Sequence, residues 1–334
     1  MTRIGIAAVG LCLVSPLIAS LHSSELSGAP AATSQSSGHF SFALIGDMPY
    51  GPEGDAKFPN IITEINADRS LSFVVHDGDF KNGSSLCSDE VFQNRWTLFN
   101  RFNAPFIYVP GDNEWTDCHR ANNGSYVPTE RLDYLRALFF PNEQSLGRKT
   151  MTLDRQSDDP RYTTYRENVR WEANDVVFAG LHVVGSNNNI TGTPPSEYVN
   201  RNAATLAWLR GTFAVATSGG YKAVMLIIQA DPLFELPVGT PSRSGFEDFL
   251  AALESETITF GKPVVLVHGD SHYFRIDKPM IGTASGRRVE NFTRVETFGE
   301  LDNHWLHVDV SPGNPNVFVF DQRIVAANLV PQGR

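Results

Sequence analysis

Residues 74–83 read VVHDGDFKNG, a hydrophobic strand that stops on two aspartates around one glycine. Carboxylates this close repel one another, and a chain carries them only where something neutralises their charge. Three further stretches end the same way: FALIGDMPYG at 42–51, FIYVPGDNEW at 106–115 and VVLVHGDSHYF at 264–274. In each an aspartate follows a glycine directly and closes an apolar run, which picks out Asp47, Asp79, Asp112 and Asp270. One strand-terminal aspartate is commonly a turn former that bonds its own backbone. Turn chemistry does not demand the same ending four times.

Helical spacing separates the strands. Phe58, Ile61, Ile62 and Ile65 fall at i, i+3, i+4 and i+7, one face of a helix. A second helix is expected from about Asp89, carrying Val91, Phe92, Leu98, Phe99 and Phe102, and a third near 128–139. Leu206, Leu209 and Phe213 mark another, as do Phe246, Phe249, Leu250 and Leu253. The strands between them read LSFVVH, PFIYV, DVVFAGLHVVG at 175–185, YKAVMLIIQ at 221–229 and PVVLVHG. Alternating units of this kind predict an α/β fold with substantial parallel character and helices covering the sheet. The tail alternates in HWLHVDV at 304–310 and NVFVFDQ at 316–322, expected as paired strands of a second sheet. No internal repeat and no clean linker follow residue 40, so a single domain is expected over 41–330.

Composition narrows the function. The chain has 334 residues, 27 basic and 37 acidic side chains, and a formal charge of −10. No basic cluster stands out, which argues against a nucleic-acid groove or an anionic membrane surface as partner. MTR followed by IGIAAVGLCLVSPLIA and the small Ala19 and Ser20 predicts a secretory signal peptide over 1–20, short for a stable membrane span. Residues 21–40 are rich in Ser, Ala, Gly and Pro and predict a flexible tether. The mature protein is thus expected to be exported, periplasmic or secreted. It keeps Cys87 and Cys118, each a few residues beyond an aspartate-tipped strand, and an oxidising compartment predicts a disulfide between them.

Carboxylates at the C-terminal tips of strands lie where open α/β folds bind ligands. Four of them at one centre call for a cation, most simply a divalent metal. The order of the motifs then resembles the calcineurin-like metallophosphoesterases, the purple-acid-phosphatase-like superfamily. There the pattern runs Asp-x-His, Gly-Asp-x-x-Asp/Asn, Gly-Asn-His-Glu/Asp, a lone His after a strand, and Gly-His-x-His. The counterparts here are GDMPY, GDFKNG, GDNE, IIQADP and HGDSHYF, spread from residue 41 to about 276. The resemblance implies a four-layer αββα sandwich with two mixed β-sheets. It also implies a metal-dependent phosphoric ester hydrolase acting on a small phosphorylated substrate.

Carried over position by position, the resemblance places one ion on Asp47, Asp79 and His272. It places a second on Asp79, Asp112, Asp270 and Gln229, with Asp231 an alternative to Gln229. Catalytic roles fall to Asp79 as the bridge, to Asn113 at the family's proton-donating His, and to His272. Glu114 is expected to orient the ligands, and Asn82 is a candidate supporting residue or phosphate contact; in GSNNN at 185–189, Asn187 or Asn188 is a candidate phosphate contact, with capping of its own loop the favoured reading. Several positions depart from the pattern: Pro49, Asn113, Gln229 and Asp270 stand where the family has His, and Asp112 where it has Asn. All but Pro49 still offer oxygen, which favours Mn or Mg, with Ca an alternative, over Zn or Fe. Asn113 has no proton to give near neutral pH, so a relative that binds metal or a phosphorylated ligand without turnover is the alternative reading. A calcium-like structural site is a third. His76, His182 and His268 are expected to be structural, and Asp77 a turn residue, with support of the ligands from behind as its alternative.

Overall fold

The helical spacings become buried faces, and the apolar runs become the strands those faces cover. The structure, a computed structural model, describes residues 38–329. The expected signal peptide and residues 21–37 of the expected tether lie outside that range. The chain opens with β1 (Phe40–Ile45), α1 (Gly51–Ala67), β2 (Leu71–His76), α2 (Asp89–Phe99) and β3 (Phe106–Tyr108). Phe40, assigned to the tether by sequence, is thus the first strand residue. After α3 (Pro128–Phe139) come β4 (Asp154–Arg155), β5 (Val169–Ala173) and β6 (Val176–Gly180). The pattern then continues through α4 (Ser196–Ser218), β7 (Ala223–Ile227), α5 (Glu247–Phe260) and β8 (Val264–His268). Four strands finish it: β9 (Arg275–Asp277), β10 (Phe292–Glu296), β11 (Trp305–Val310) and β12 (Phe318–Arg323).

Two mixed sheets result. One runs β12-β11-β1-β2-β3, with β1, β2 and β3 parallel; the other runs β4-β5-β6-β7-β8-β10-β9, with β6, β7, β8 and β10 parallel. Phe42, Phe73 and Val75 of the first sheet pack against Trp171, Phe178, Met225 and Val267 of the second, forming the inner core. The outer face of the first sheet is covered by α1, α2 and α3 through Phe58, Ile61, Phe92, Phe99 and Leu135. The second is covered by α4 and α5 through Leu209, Phe213, Phe249 and Leu253. The layers are therefore αββα, with the expected helical faces inward. The tail differs from expectation in one respect. β11 and β12 do pair with each other, but they extend the first sheet, because β11 runs antiparallel to β1. Among the described residues no helix is long and apolar enough to cross a membrane.

Parallel strands deliver their C-terminal ends to one edge, and two loops there are joined covalently. Cys87, beyond β2, and Cys118, beyond β3, form a disulfide with their Cα atoms 5.7 Å apart and a sequence separation of 31. Closing a loop of that length removes unfolded-state freedom worth about 3–4 kcal/mol. A Cys87→Ser, Cys118→Ser double variant is expected to lose about that much stability in urea titrations of the unreduced proteins. An unchanged unfolding midpoint would contradict the expectation.

Candidate metal centre

Asp47, Asp79, Asp112 and Asp270 lie just beyond β1, β2, β3 and β8, at the shared edge. Asp47, Asp79 and Asp270 take left-handed backbone conformations, with φ of 48°, 57° and 76°, and His272 joins them at 60°. Such a conformation costs a non-glycine residue about 1–2 kcal/mol, and it persists where surrounding structure over-determines it. Of the preceding glycines, Gly78 has a positive φ of 126°, and two others serve a different purpose. At Gly269 a Cβ would lie 1.7 Å from Asp47 Oδ2, and at Gly111 one would lie 2.0 Å from Asp79 Oδ1. The aspartates make the turns at 47, 79 and 270; these two glycines leave room for carboxylates.

Three of the four carboxylates meet. Asp79, Asp112 and Asp270 each bring an oxygen to within 4.8 Å of the others'. Asp112 Oδ1 is buried with no hydrogen-bond partner, while Asp112 Oδ2 accepts from Ser186 Oγ at 2.7 Å. Burial, followed by the charges of Asp112, Glu114 and Asp47, pushes the Asp79 carboxyl well above its ordinary range. Burial and the charges of Asp112 and Asp47 do the same to Asp270, and burial raises Asp112. A cage of three carboxylates with no cation of the described residues bonded to them suits a divalent ion, and its all-oxygen donor set suits Mn, Mg or Ca. These residues fit one such ion.

Glu114 fixes the cage from behind, as expected of an orienting residue. Its Oε1 accepts from the backbone N–H of Asp79 at 3.1 Å and of Gly111 at 2.7 Å, and from the Tyr108 hydroxyl. One carboxylate thereby ties the two loops that carry Asp79 and Asp112.

The other sequence candidates divide. Gln229 does not present oxygen to the cage: Gly185 N–H donates to its Oε1 at 2.6 Å, which leaves Nε2 to donate to Asp79 Oδ2 at 3.1 Å. Asp231, the alternative to it, pairs with Arg275 at 2.9 Å. Asn113 is buried and donates through Nδ2 to Asp79 Oδ2 at 2.7 Å. Asp47 and His272 stand outside the three-carboxylate cage, with His272 Nε2 3.4 Å from Asp47 Oδ1 and Nδ1 3.5 Å from Glu300. Burial opposes protonation of His272, yet its bond to Asp47 and the charges of Asp47 and Glu300 hold its pKa above the usual imidazole value. Asn187 fastens the 241–245 loop, donating to Pro241 O and Ser244 Oγ and accepting from Gly245 N–H. Asn82 sits in its own turn, where its Oδ1 accepts from Ser84 N–H. Asp77 is buried, with Oδ2 accepting from Thr297 Oγ1 and Oδ1 without a partner. His76 and His268 are buried and neutral, their pKa values lowered to about 4 by burial. His182 is buried against Glu167 at 2.8 Å.

Three residues at the centre escaped the sequence reading. Tyr50 places its buried hydroxyl 3.1 Å from Asp47 Oδ1 and 3.2 Å from Asp79 Oδ2. Lys81, buried inside GDFKNG, donates to the carbonyls of Asn113 at 2.7 Å and Asn82 at 2.9 Å. Ser186 opens a single left-handed turn in which Ser186, Asn187, Asn188 and Asn189 all have φ between 52° and 55°. Arg201 holds that turn through Asn188 Oδ1 and its carbonyl, and the turn aims Ser186 Oγ at Asp112. The run of three asparagines was the available signal, since asparagine is among the few residues that tolerate this conformation.

No curated protein sequence matches significantly. Among solved structures the chain is similar to GAP50, the anchor in the inner membrane complex of Plasmodium, at 11% identity over 86% of this chain and 89% of that one, with a TM-score of 0.47. It is similar to PhoD at 13% identity, 82% and 64% coverage and a TM-score of 0.48. The purple acid phosphatase PPD1 of yellow lupin seeds shows 12% identity, 88% and 53% coverage and a TM-score of 0.47. The chain thus spans less than two thirds of the PhoD chain and about half of the lupin chain. Residues 40–212, more than half of the sequence, match the model of the calcineurin-like phosphoesterase family. With two mixed sheets between helical layers and buried aspartates at the strand tips, the chain belongs to the calcineurin-like phosphoesterases.

Proposed function

We propose that this chain is an exported, metal-dependent phosphoric ester hydrolase acting on a small phosphorylated substrate. The observation that carries the reading is the convergence of Asp79, Asp112 and Asp270 in a chain of this family. An ion held there, Mn or Mg by its donor set, supplies a Lewis acid for phosphoryl oxygens and acidifies water. The chain's own residues position these events. Glu114 sets the Asp79 and Asp112 loops, and Ser186 orients Asp112. Export is supported by the disulfide, which persists in oxidising compartments, and by the signal-like residues at 1–20.

A cavity of about 400 Å³ adjoins the cage, lined by Thr116, Asp117, His119, Arg120, Ser186 and Thr193 among others. Ser186 and Asp117 belong both to its wall and to the hydrogen bonds around Asp112. Arg120 pairs with Asp117 there and remains about half exposed. A guanidinium matches phosphate oxygens bidentately, so Arg120 is the chain's own phosphate contact in this reading.

The test is Mn-loaded mature protein assayed on aryl phosphate monoesters and diesters, beside a chelated control. The expected result is metal-dependent hydrolysis, with Arg120→Ala raising KM about tenfold, as loss of one charged hydrogen bond does. A fully loaded protein that turns over none of these esters overturns the hydrolase reading. It favours instead binding without turnover, for which the commitment of the Asn113 amide to Asp79 is the supporting observation.

A further inference from the structure

Satisfied and unsatisfied acceptors are segregated at this centre. On one side Asp112 Oδ1 has no partner, and a Cβ at Gly185 would lie 2.5 Å from it and 2.8 Å from Asp270 Oδ1. Two carboxylate oxygens therefore converge on a glycine with no side chain between them. On the other side the oxygens of Asp47 and Asp79 are engaged. Asp79 Oδ2 receives the Asn113 amide at 2.7 Å and the Gln229 amide at 3.1 Å. Asp47 receives the Asp270 backbone N–H on both oxygens, and the Tyr50 hydroxyl, with one proton to give, lies between Asp47 Oδ1 at 3.1 Å and Asp79 Oδ2 at 3.2 Å.

We propose that this chain holds one divalent ion, on Asp79, Asp112 and Asp270, and that the Tyr50 hydroxyl closes the position between Asp47 and Asp79 where the family pattern places another. The proposal rests on the reading of the three aspartates as a metal site. A carboxylate oxygen has two lone pairs, and the Asn113 and Gln229 amides meet both of those on Asp79 Oδ2, which leaves none for a second cation. Tyr50 is held in place, its ring packing edge-on against His272 with centroids 5.4 Å apart. His272 in turn lies between Asp47 and Glu300, its ring nitrogens facing carboxylates. Pro49 removes the imidazole that would complete a donor set around Asp47. A fixed positive charge already stands on that side: the buried Lys81 ammonium donates to the carbonyls of Asn113 at 2.7 Å and Asn82 at 2.9 Å. Five residues from four segments thus agree on the same side of the site: Pro49, Tyr50, Asn113, Gln229 and Lys81.

The count of bound metal tests this apart from any activity. The mature protein is loaded with Mn, freed of excess, and measured for Mn per chain and for its electron paramagnetic resonance spectrum. The expected result is one ion with the hyperfine pattern of an isolated centre. The double variant Tyr50→Ala, Asn113→Ala, which removes the ring and frees one lone pair of Asp79 Oδ2, is expected to take up a second ion and show an exchange-coupled spectrum. Two ions in the parent protein, or a folded double variant that stays at one, overturns the proposal while leaving the metal-site reading intact. No ion in the parent overturns both. Should the double variant not fold, the parent's count and spectrum decide the matter alone.

Discussion

Asp112→Asn is expected to weaken binding of a divalent ion by at least about a hundredfold, since removing a mere partner of a ligand already costs roughly 10–100-fold. Phosphoester hydrolysis is expected to fall with it by about a thousandfold, the scale seen when one charge-stabilising group leaves a preorganised site. Asp112 is the most informative position because its Oδ1 is buried and unpartnered, so the native structure holds an acceptor it does not itself use. The amide keeps the shape and can still bond Ser186, but it removes one negative charge from the cage. That second effect separates a ligand from a fold-stabilising residue. Asp112 contributes to the charge that raises Asp79 and Asp270, so the metal-free variant is expected to melt higher than the metal-free parent. Calorimetry of the chelated proteins and isothermal titration with Mn read the two effects independently. Binding within a few fold of the parent, or a lower melting point without metal, would sink the assignment of Asp112 as a ligand.

What the sequence made legible was whatever repeats or has a period. Phe58, Ile61, Ile62 and Ile65 are all buried on α1 because a 3.6-residue period has one physical solution against a sheet. The four glycine–aspartate strand ends were visible because each is local, and three of them do meet. The centre's other features depend on contacts far apart in the chain. Tyr50 reaches Asp79 across 29 residues and Gln229 reaches it across 150, and nothing in GDMPY or IIQADP announces which atom faces which. Gln229 was assigned as an oxygen donor from its position, but one backbone N–H, from Gly185, decides which end of the amide turns toward Asp79. The β11–β12 hairpin was evident from alternation; its attachment to β1 is a long-range pairing with no local signature.

Metal is expected to stabilise the protein more as pH rises. In the metal-free protein the Asp79, Asp112 and Asp270 carboxyls lie above their ordinary value of 3.8, with burial the leading cause in each. A folded-state pKa above the unfolded one means the native chain keeps protons that the unfolded chain releases. Their contribution is therefore fully present below about pH 4 and is lost as pH rises toward the folded values. The loaded protein behaves oppositely, because an ion binds the ionised carboxylates and its binding expels those protons. The difference in melting temperature between loaded and chelated protein should thus widen with pH. With metal at about 100 times its dissociation constant the gain is about 2.7 kcal/mol, or roughly 5–10 °C for a domain of this size. At pH 5, where protons compete for the same oxygens, most of that gap should be gone. His76 and His268, buried and neutral with pKa values of about 4, stabilise both forms above about pH 6.5 and lose that contribution as pH falls. They act on loaded and chelated protein alike, so they shift both melting curves and cancel in the difference. Scanning calorimetry with Mn and with chelator at pH 5 and pH 8 measures that difference directly. A gap that stays constant or narrows toward pH 8 would show that the ion does not replace protons on the Asp79, Asp112 and Asp270 carboxylates.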